Sequence, residues 1–531
     1  MIIDLAAAGA GNVKVDICIV GAGIAGILLG AKLRSRGLTV AILESGAHQQ
    51  AEEIHPLNRV INIGRPYRGA LLGRARCLGG TSTRWGGALI PFLAEDILAR
   101  PYLGVEAWPV QFGELLAYLS EVEVLFSVDQ GPFDQDFVDW SGIKDEVPRA
   151  SEFLVRFAKW PSFRRRNLAM LFNDRLTSDT DLRVWLNATV CRFNFLEGDE
   201  RLESLVAISP NGDELVVRAD QMVLCAGAIE STRLLLALDR RHGGRISKDC
   251  SALGRYFFDH ISIHAADIKA FDAFRLNRMA GFRFVGRTMR SLRYELSPEV
   301  QRKESVASAF GHIAFQAGSP SGFDSLREFL RTLQRSGRFD ARLLGRMMRD
   351  VPYLATLAIW KLWYKQLYWP PDARHELHIV AEQLPHRENC ISLSNQSDAF
   401  GTPIAKINWD LRGLEMKTLS VFARTFSEFW KTQGLNRIGQ LQWLLNVADP
   451  VLEGSQGYDI YHPGGTTRMG ADKRTAVVDR HLRTFAIKNL WIASTSVFPS
   501  GASANPTLML MLFSLRLADH LASLRAAGAN A

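Results

Sequence analysis

The chain has 531 residues, 47% hydrophobic and 22% charged, a composition that fits a folded globular protein and excludes a disordered or fibrous one. That length exceeds one simple core and implies two domains, or one large domain with a second inserted. The formal charge of +8 is unevenly placed: residues 325–368 carry nine Lys or Arg against three acids, so the basicity needs a local explanation, and without an aromatic strand platform it gives no case for nucleic acid.

The first elements come from VDICIVGAGIAGILLGAKLRSRGLTVAILESG, which predicts a strand over residues 15–20, a glycine turn, a helix to about Arg36 and a second strand ending at Glu44. Gly21, Gly23 and Gly26 have the G-x-G-x-x-G spacing of a dinucleotide fingerprint: a tight turn, close backbone approach to a pyrophosphate, and close packing of helix on strand. The pyrophosphate would rest on the helix N-terminus, where unpaired N–H groups and the dipole favour an anion. Glu44, 23 residues beyond Gly21, stands where a carboxylate binds ribose hydroxyls. The apolar run 17–31 is like a signal-peptide core, but its glycines belong to the cofactor pattern and no cleavage site follows. An unprocessed, cytoplasmic chain is therefore expected. The six cysteines (Cys18, Cys77, Cys191, Cys225, Cys250, Cys390) are scattered, with no pair at metal-ligand spacing, and read as buried apolar residues in a reducing compartment. No metal site is expected.

Residues 79–87, GGTSTRWGG, set four glycines around five other residues, three of which carry hydroxyls. Such a loop can approach a flat or phosphorylated ligand closely, or simply hold a buried Trp85.

From about residue 266 to 455 the glycine motifs stop. HELHIVAEQLP and CISLSNQSDAFGTPIAKINWDL alternate apolar and polar residues and predict antiparallel strands of one sheet covering the cofactor. Between residues 325 and 370, Arg342, Arg346 and Arg349 fall at helical spacing. An apolar run over 351–360 follows, with Trp360, Trp363, Tyr364, Tyr368 and Trp369 clustered at its end. This is too short and too interrupted by charge to span a bilayer. Two readings stay open: a helix pair lying at a membrane surface, where basic and aromatic residues suit anionic headgroups, or a lid or dimer contact packed on protein.

The C-terminal part holds YHPGGTTRMG (461–470) and NLWIASTSVFPSGASANPT (489–507). Together with GAGIAG, GGTSTRWGG and VLCAGAIESTRLLL (223–236), in this order over almost the whole chain, these motifs resemble the glucose-methanol-choline oxidoreductases, a family of FAD enzymes. The resemblance implies an α/β fold: a Rossmann-like FAD-binding domain (residues 13–100, 166–265 and 456–531) and an α+β substrate domain built on an antiparallel sheet (101–165 and 266–455). It implies an FAD whose pyrophosphate meets Gly21, Gly23 and Gly26 and whose ribose meets Glu44. The isoalloxazine would be flanked by Gly79, Gly80, Thr81, Ser82, Trp85, Gly86 and Gly87, and the adenine would meet the Val190 backbone in LNATVCRF. Ala226, Gly227, Pro506 and Thr507 would complete the site. The STRW core is most similar to the pyranose oxidase branch, where a histidine between Thr and Trp carries the flavin covalently. Arg84 stands there in this chain, so a non-covalent flavin is expected.

Alcohol oxidation removes the hydroxyl proton as hydride leaves carbon for the flavin, and imidazole is the side chain whose ordinary pKa best suits that base. The match of HPGGTTRMG to the family's catalytic strip gives the role to His462, held between a stiff Pro463 and the Gly464-Gly465 turn. Asn505 is its partner, a neutral amide able to orient the substrate hydroxyl. Pro506 would open a helix whose N-terminus points at the flavin, and Arg468 would fix the turn through carbonyl or phosphate contacts. The implied reaction oxidises a secondary alcohol on a sugar or glycoside, with oxygen, a quinone or a protein as electron acceptor. A sterol or lipid alcohol as substrate, and a hydroxynitrile lyase-like reaction without net redox change, are the alternatives.

Overall fold

In the computed structural model, which describes residues 1–50, 54–316, 322–336, 351–370, 372–444, 446 and 457–529, the N-terminal fingerprint lies at the centre of a mixed sheet. Gly11–Val20 pairs in parallel with Val40–Leu43 on one side and Glu214–Leu224 on the other. Leu182–Leu186 and Ile2–Asp4 extend one flank in parallel, and Leu490–Ile492 also joins Glu214–Leu224 in parallel. Leu202–Ile208 and Thr189–Phe195 close the other flank antiparallel. Ile17, Cys18, Ile19 and Val20 are all buried, the unbroken apolar run expected of a parallel strand covered on both faces. The helix Ile24–Ser35 covers the sheet, and the C-terminal helix Thr507–Ala529 packs on it. Gly26 permits this closeness, since a Cβ there would lie 1.9 Å from the Gly21 carbonyl oxygen.

The second sheet is antiparallel throughout. Its order is Arg283–Val285, Thr288–Leu296, Ala309–Gln316, Arg374–Glu382, His260–Ala270 and Gly439–Trp443; Phe153–Trp160 adds to Thr288–Leu296, and Gly457–Asp459 to His260–Ala270. The amphipathic helix Gly413–Thr432 packs Leu419, Phe422 and Phe426 into a separate apolar core on this sheet. The α/β architecture with an antiparallel second sheet matches the sequence expectation. One element differs: Cys390–Ser397 and Pro403–Asn408 form the expected hairpin, but it joins Ile61–Asn62 in a three-stranded sheet of its own beside the helix Gly227–Arg241. Alternation predicts a strand but not the sheet it enters. The strand His260–Ala270 runs across residues 265 and 266, where the sequence reading had divided the domains.

In the basic segment, Arg338, Arg342, Arg346 and Arg349 lie outside the described residues. The helix Gly322–Ser336 leans on the 79–87 loop: Gln334 Nε2 donates to the carbonyls of Ser82 (3.1 Å) and Trp85 (3.0 Å), and Asn167 donates to the Gln334 carbonyl. The helix Val351–Trp363 instead exposes Ile359, Leu362 and above all Trp363, 80% accessible. Among the described residues one helix stretch, Thr507–Ala527, is long and apolar enough to cross a membrane, and over half of it is buried against the protein.

Candidate active site

Three helix N-termini converge on one cavity of about 490 Å³: Gly23 and Ile24, Ala226 and Gly227, and Pro506 and Thr507. Gly23 and Ala226 make no side-chain capping bond, so the first-turn N–H groups there face the cavity with the positive end of the helix dipole. Glu44 lines the wall, its carboxylate accepting from the Ala22 N–H and the Gly46 N–H, both at 2.9 Å. Burial pushes its pKa upward. His462 and Asn505 line the same cavity.

The turn carrying His462 is held from several directions. Its N–H donates to both oxygens of Asp259, at 3.0 and 2.9 Å, Thr495 donates to the Pro463 carbonyl at 2.6 Å, and Gly464 pairs with Phe258. Gly465 has φ +87°, and a Cβ there would sit 2.0 Å from the Tyr256 carbonyl oxygen, so glycine is the residue that closes this turn. Asp259 also accepts from the Tyr67 hydroxyl and the His260 N–H. Burial pushes the Asp259 carboxyl up to about 7.

The hydrogen bonds around the imidazoles assign their protons. His260 Nε2 faces the Ala502 carbonyl at 2.7 Å, and a carbonyl only accepts, so this nitrogen carries the hydrogen. Burial lowers the pKa of His260, so the ring is neutral and its Nδ1 is an acceptor. That Nδ1 lies 2.8 Å from His462 Nδ1, which must therefore donate, leaving the lone pair of His462 on Nε2. Asn505 Nδ2 is 3.4 Å from this Nε2, and its orientation is set by Arg293, which donates to Asn505 Oδ1 at 3.0 Å. Burial, then His260 and Arg293, hold the pKa of His462 well below the ordinary histidine value. The result is an unprotonated nitrogen with an amide donor beside it, on the wall of the cavity: a base and a hydroxyl-orienting group.

Known proteins place this arrangement. Residues 385–514 match the model of the GMC oxidoreductase family. That stretch carries the glucose-methanol-choline oxidoreductase pattern. Over 96% of its length it is 22% identical to the fructose dehydrogenase large subunit of Gluconobacter japonicus, covering 98% of that protein. It is 20% identical to the 2-methyl-1,2-propanediol dehydrogenase of Mycolicibacterium austroafricanum, over 96% of this chain and 95% of that one. Its fold is similar to that of formate oxidase from Aspergillus oryzae, a protein whose FAD undergoes modification, with a TM-score of 0.60 at 14% identity over 97% and 99% of the two chains. With these likenesses it is a flavin oxidoreductase acting on alcohol-type substrates.

The residues present fit FAD. Uncapped helix N-termini suit a pyrophosphate, and the cavity is continuous from Glu44 to His462. Of the positions singled out in the sequence, Gly21, Gly23, Glu44 and Val190 line the cavity, as do Gly80, Thr81, Trp85, Gly86 and Gly87 of the loop. Ala226, Gly227, Pro506, Thr507 and Arg84 line it too. Gly26 lies behind it. Gly79 and Ser82 are also outside its wall: the Ser82 hydroxyl donates to the Gly79 carbonyl and accepts from the Leu168 N–H. The Arg468 guanidinium sits 4.7 Å over the Tyr256 ring. The C-terminal helix starts at Thr507, one residue after the expected Pro506. Sequence reasoning missed Asp259, His260, Arg293 and Tyr67. A signal existed in FDHISIH, where an Asp-His pair opens an alternating strand.

Proposed function

We propose that this oxidoreductase oxidises a secondary alcohol on a sugar or glycoside to a ketone, with His462 as the base and Asn505 as the hydroxyl ligand. The observation that carries this reading is the hydrogen-bond chain that leaves His462 Nε2 unprotonated on the cavity wall. FAD, bound without a covalent link because Arg84 replaces the tethering histidine of the pyranose oxidase branch, supplies the hydride acceptor. His462 Nε2 takes the hydroxyl proton as the carbinol hydrogen departs, and the product is a carbonyl. Asn505 donates to the substrate oxygen throughout, while Arg293 keeps its amide from rotating. Residues 13–100, 166–265 and 456–531 form the proposed FAD-binding domain, and residues 101–165 and 266–455 the substrate domain.

The likeness to a fructose dehydrogenase supports a sugar substrate. The likeness to a propanediol dehydrogenase supports a smaller polyol as the second reading. Anaerobic mixing with free sugars, glycosides and short diols, watching flavin absorbance, tests both. Bleaching by a sugar or glycoside is the expected result, whereas bleaching only by short diols or by sterols would overturn the substrate class, and silence across the panel would overturn the redox reading itself. Contact with a membrane through Val351–Trp363 is supported by exposed Trp363 and Leu362 beside Lys361 and Lys365. Flotation with anionic vesicles should carry wild type but not Trp363→Glu.

A further inference from the structure

On a regular strand, residues three apart point to opposite faces. Across one step of His260–Ala270, between His264 and Ala266, that rule is broken. The pairing with Arg374–Glu382 runs His264 with His378, then skips Ala265 and resumes with Ala266 opposite Leu377 and Asp267 opposite Glu376. This bulge places His264 and Asp267 on one face, and directly paired residues of an antiparallel ladder share a face. His264, Asp267, His378 and Glu376 therefore form a square of two imidazoles and two carboxylates across two adjacent strands.

The square is convergent. His264, Asp267 and Glu376 each offer a ligand atom, and the three atoms lie within 4.8 Å of one another. His264 Nε2 is 3.0 Å from Asp267 Oδ1, and His378 Nε2 is 2.9 Å from Glu376 Oε2. Bonds of about 2.1 Å to one ion put its ligand atoms roughly 3–4 Å apart, so small rotations suffice to seat a cation. The outer partners are in place: Gln316 donates to Glu376 Oε2 at 2.8 Å, and the His378 ring stacks between those of His264 (5.1 Å) and His312 (5.6 Å). His264 and Asp267 remain partly exposed, which gives an ion an entry path, while the Glu376 side chain is only 11% accessible.

We propose that His264, Asp267 and Glu376, with His378 beside them, form a binding site for a first-row divalent cation such as Zn²⁺. Mixed imidazole and carboxylate donors suit such ions better than Mg²⁺ or Ca²⁺, which take oxygen ligands alone. The site sits on the strand that begins with His260, roughly 13 Å further along it, and clamps that strand to its neighbour Arg374–Glu382. Its spacing, His-x-x-Asp and Glu-x-His, matches a metal site only once the bulge is known.

The test uses tag-free, flavin-loaded protein, equilibrium dialysis against Zn²⁺ with metal analysis, and Co²⁺ as an optical probe. Wild type should take one ion per chain, show the visible bands of bound Co²⁺, and gain at least about 2 °C in melting temperature with Zn²⁺. His264→Ala and Glu376→Gln, checked for retained flavin, should each lose the ion and the shift, while His386→Ala on the surface keeps both. No stoichiometric uptake by wild type, or equal uptake by the His264→Ala and Glu376→Gln proteins, would overturn the proposal.

Discussion

His260 Nδ1 lies 2.8 Å from His462 Nδ1, and His260 Nε2 lies 2.7 Å from the Ala502 carbonyl. A buried carbonyl thus chooses, through one neutral ring, which nitrogen of the next ring keeps its lone pair. His260 is a positioning residue, and His260→Ala should lower kcat about 10- to 100-fold with KM little changed. Because His260 bears directly on the titration of His462, the acid limb of the pH–rate profile should shift in the variant. His260→Gln, whose Oε1 can accept the same N–H, should retain more activity than His260→Ala. A profile unmoved in His260→Ala would contradict the assignment.

The same burial makes a statement about stability. Burial holds His312 down to about 3, and lowers His260 as well. Below about 6.5 an unfolded histidine binds a proton that the folded one refuses, so stability present above 6.5 is lost as pH falls, by about 1.4 kcal/mol per pH unit for each group. Asp259 and Asp96, pushed up to about 7 by burial, act in the opposite sense between about pH 4 and 7. The clean test is therefore a difference: His312→Phe should flatten the fall in unfolding free energy between pH 6 and 4.5 by close to one proton. An unchanged slope would show that His312 titrates normally.

Arg100 and Glu382 form a buried bidentate pair at 2.6 and 2.7 Å, with 4% and 0% side-chain exposure, and Glu382 sits opposite His260 in the sheet. Removing the guanidinium alone strands a carboxylate in the protein interior. Arg100→Ala should cost about 3–5 kcal/mol in denaturant unfolding, whereas Arg100→Met with Glu382→Leu should recover most of that loss. A double variant as unstable as the single one would show that the pair does more than satisfy itself.

Arg84 lines the cavity within the GGTSTRWGG loop. With no imidazole there to form a bond, acid precipitation should leave the flavin in the supernatant. A yellow pellet would place a covalent link somewhere in the chain.

The sequence made the dinucleotide half legible because its signals are local: Gly21, Gly23 and Gly26 report a turn and a close approach that a few neighbouring residues determine. His462 and Asn505 were legible for the same reason, each embedded in its own glycine- and proline-marked turn. What tunes them was not. His260 meets His462 from 202 positions away, and Arg293 reaches Asn505 across 212. Neither contact leaves a periodicity to read. The 390–408 hairpin shows the same limit, since its turn is local while its sheet partner, Ile61–Asn62, lies far upstream. In the basic segment no pattern announced that Gln334 would bond to the backbone of the Ser82 loop.

The most direct measurement is the anaerobic rate of flavin reduction by a substrate alcohol in wild type and in His462→Ala at neutral pH. If His462 Nε2 is the base, the variant should reduce its flavin at least about 10²-fold more slowly while still binding it. A flavin-loaded variant that stays within tenfold of wild type would contradict the account and move the proton to another group.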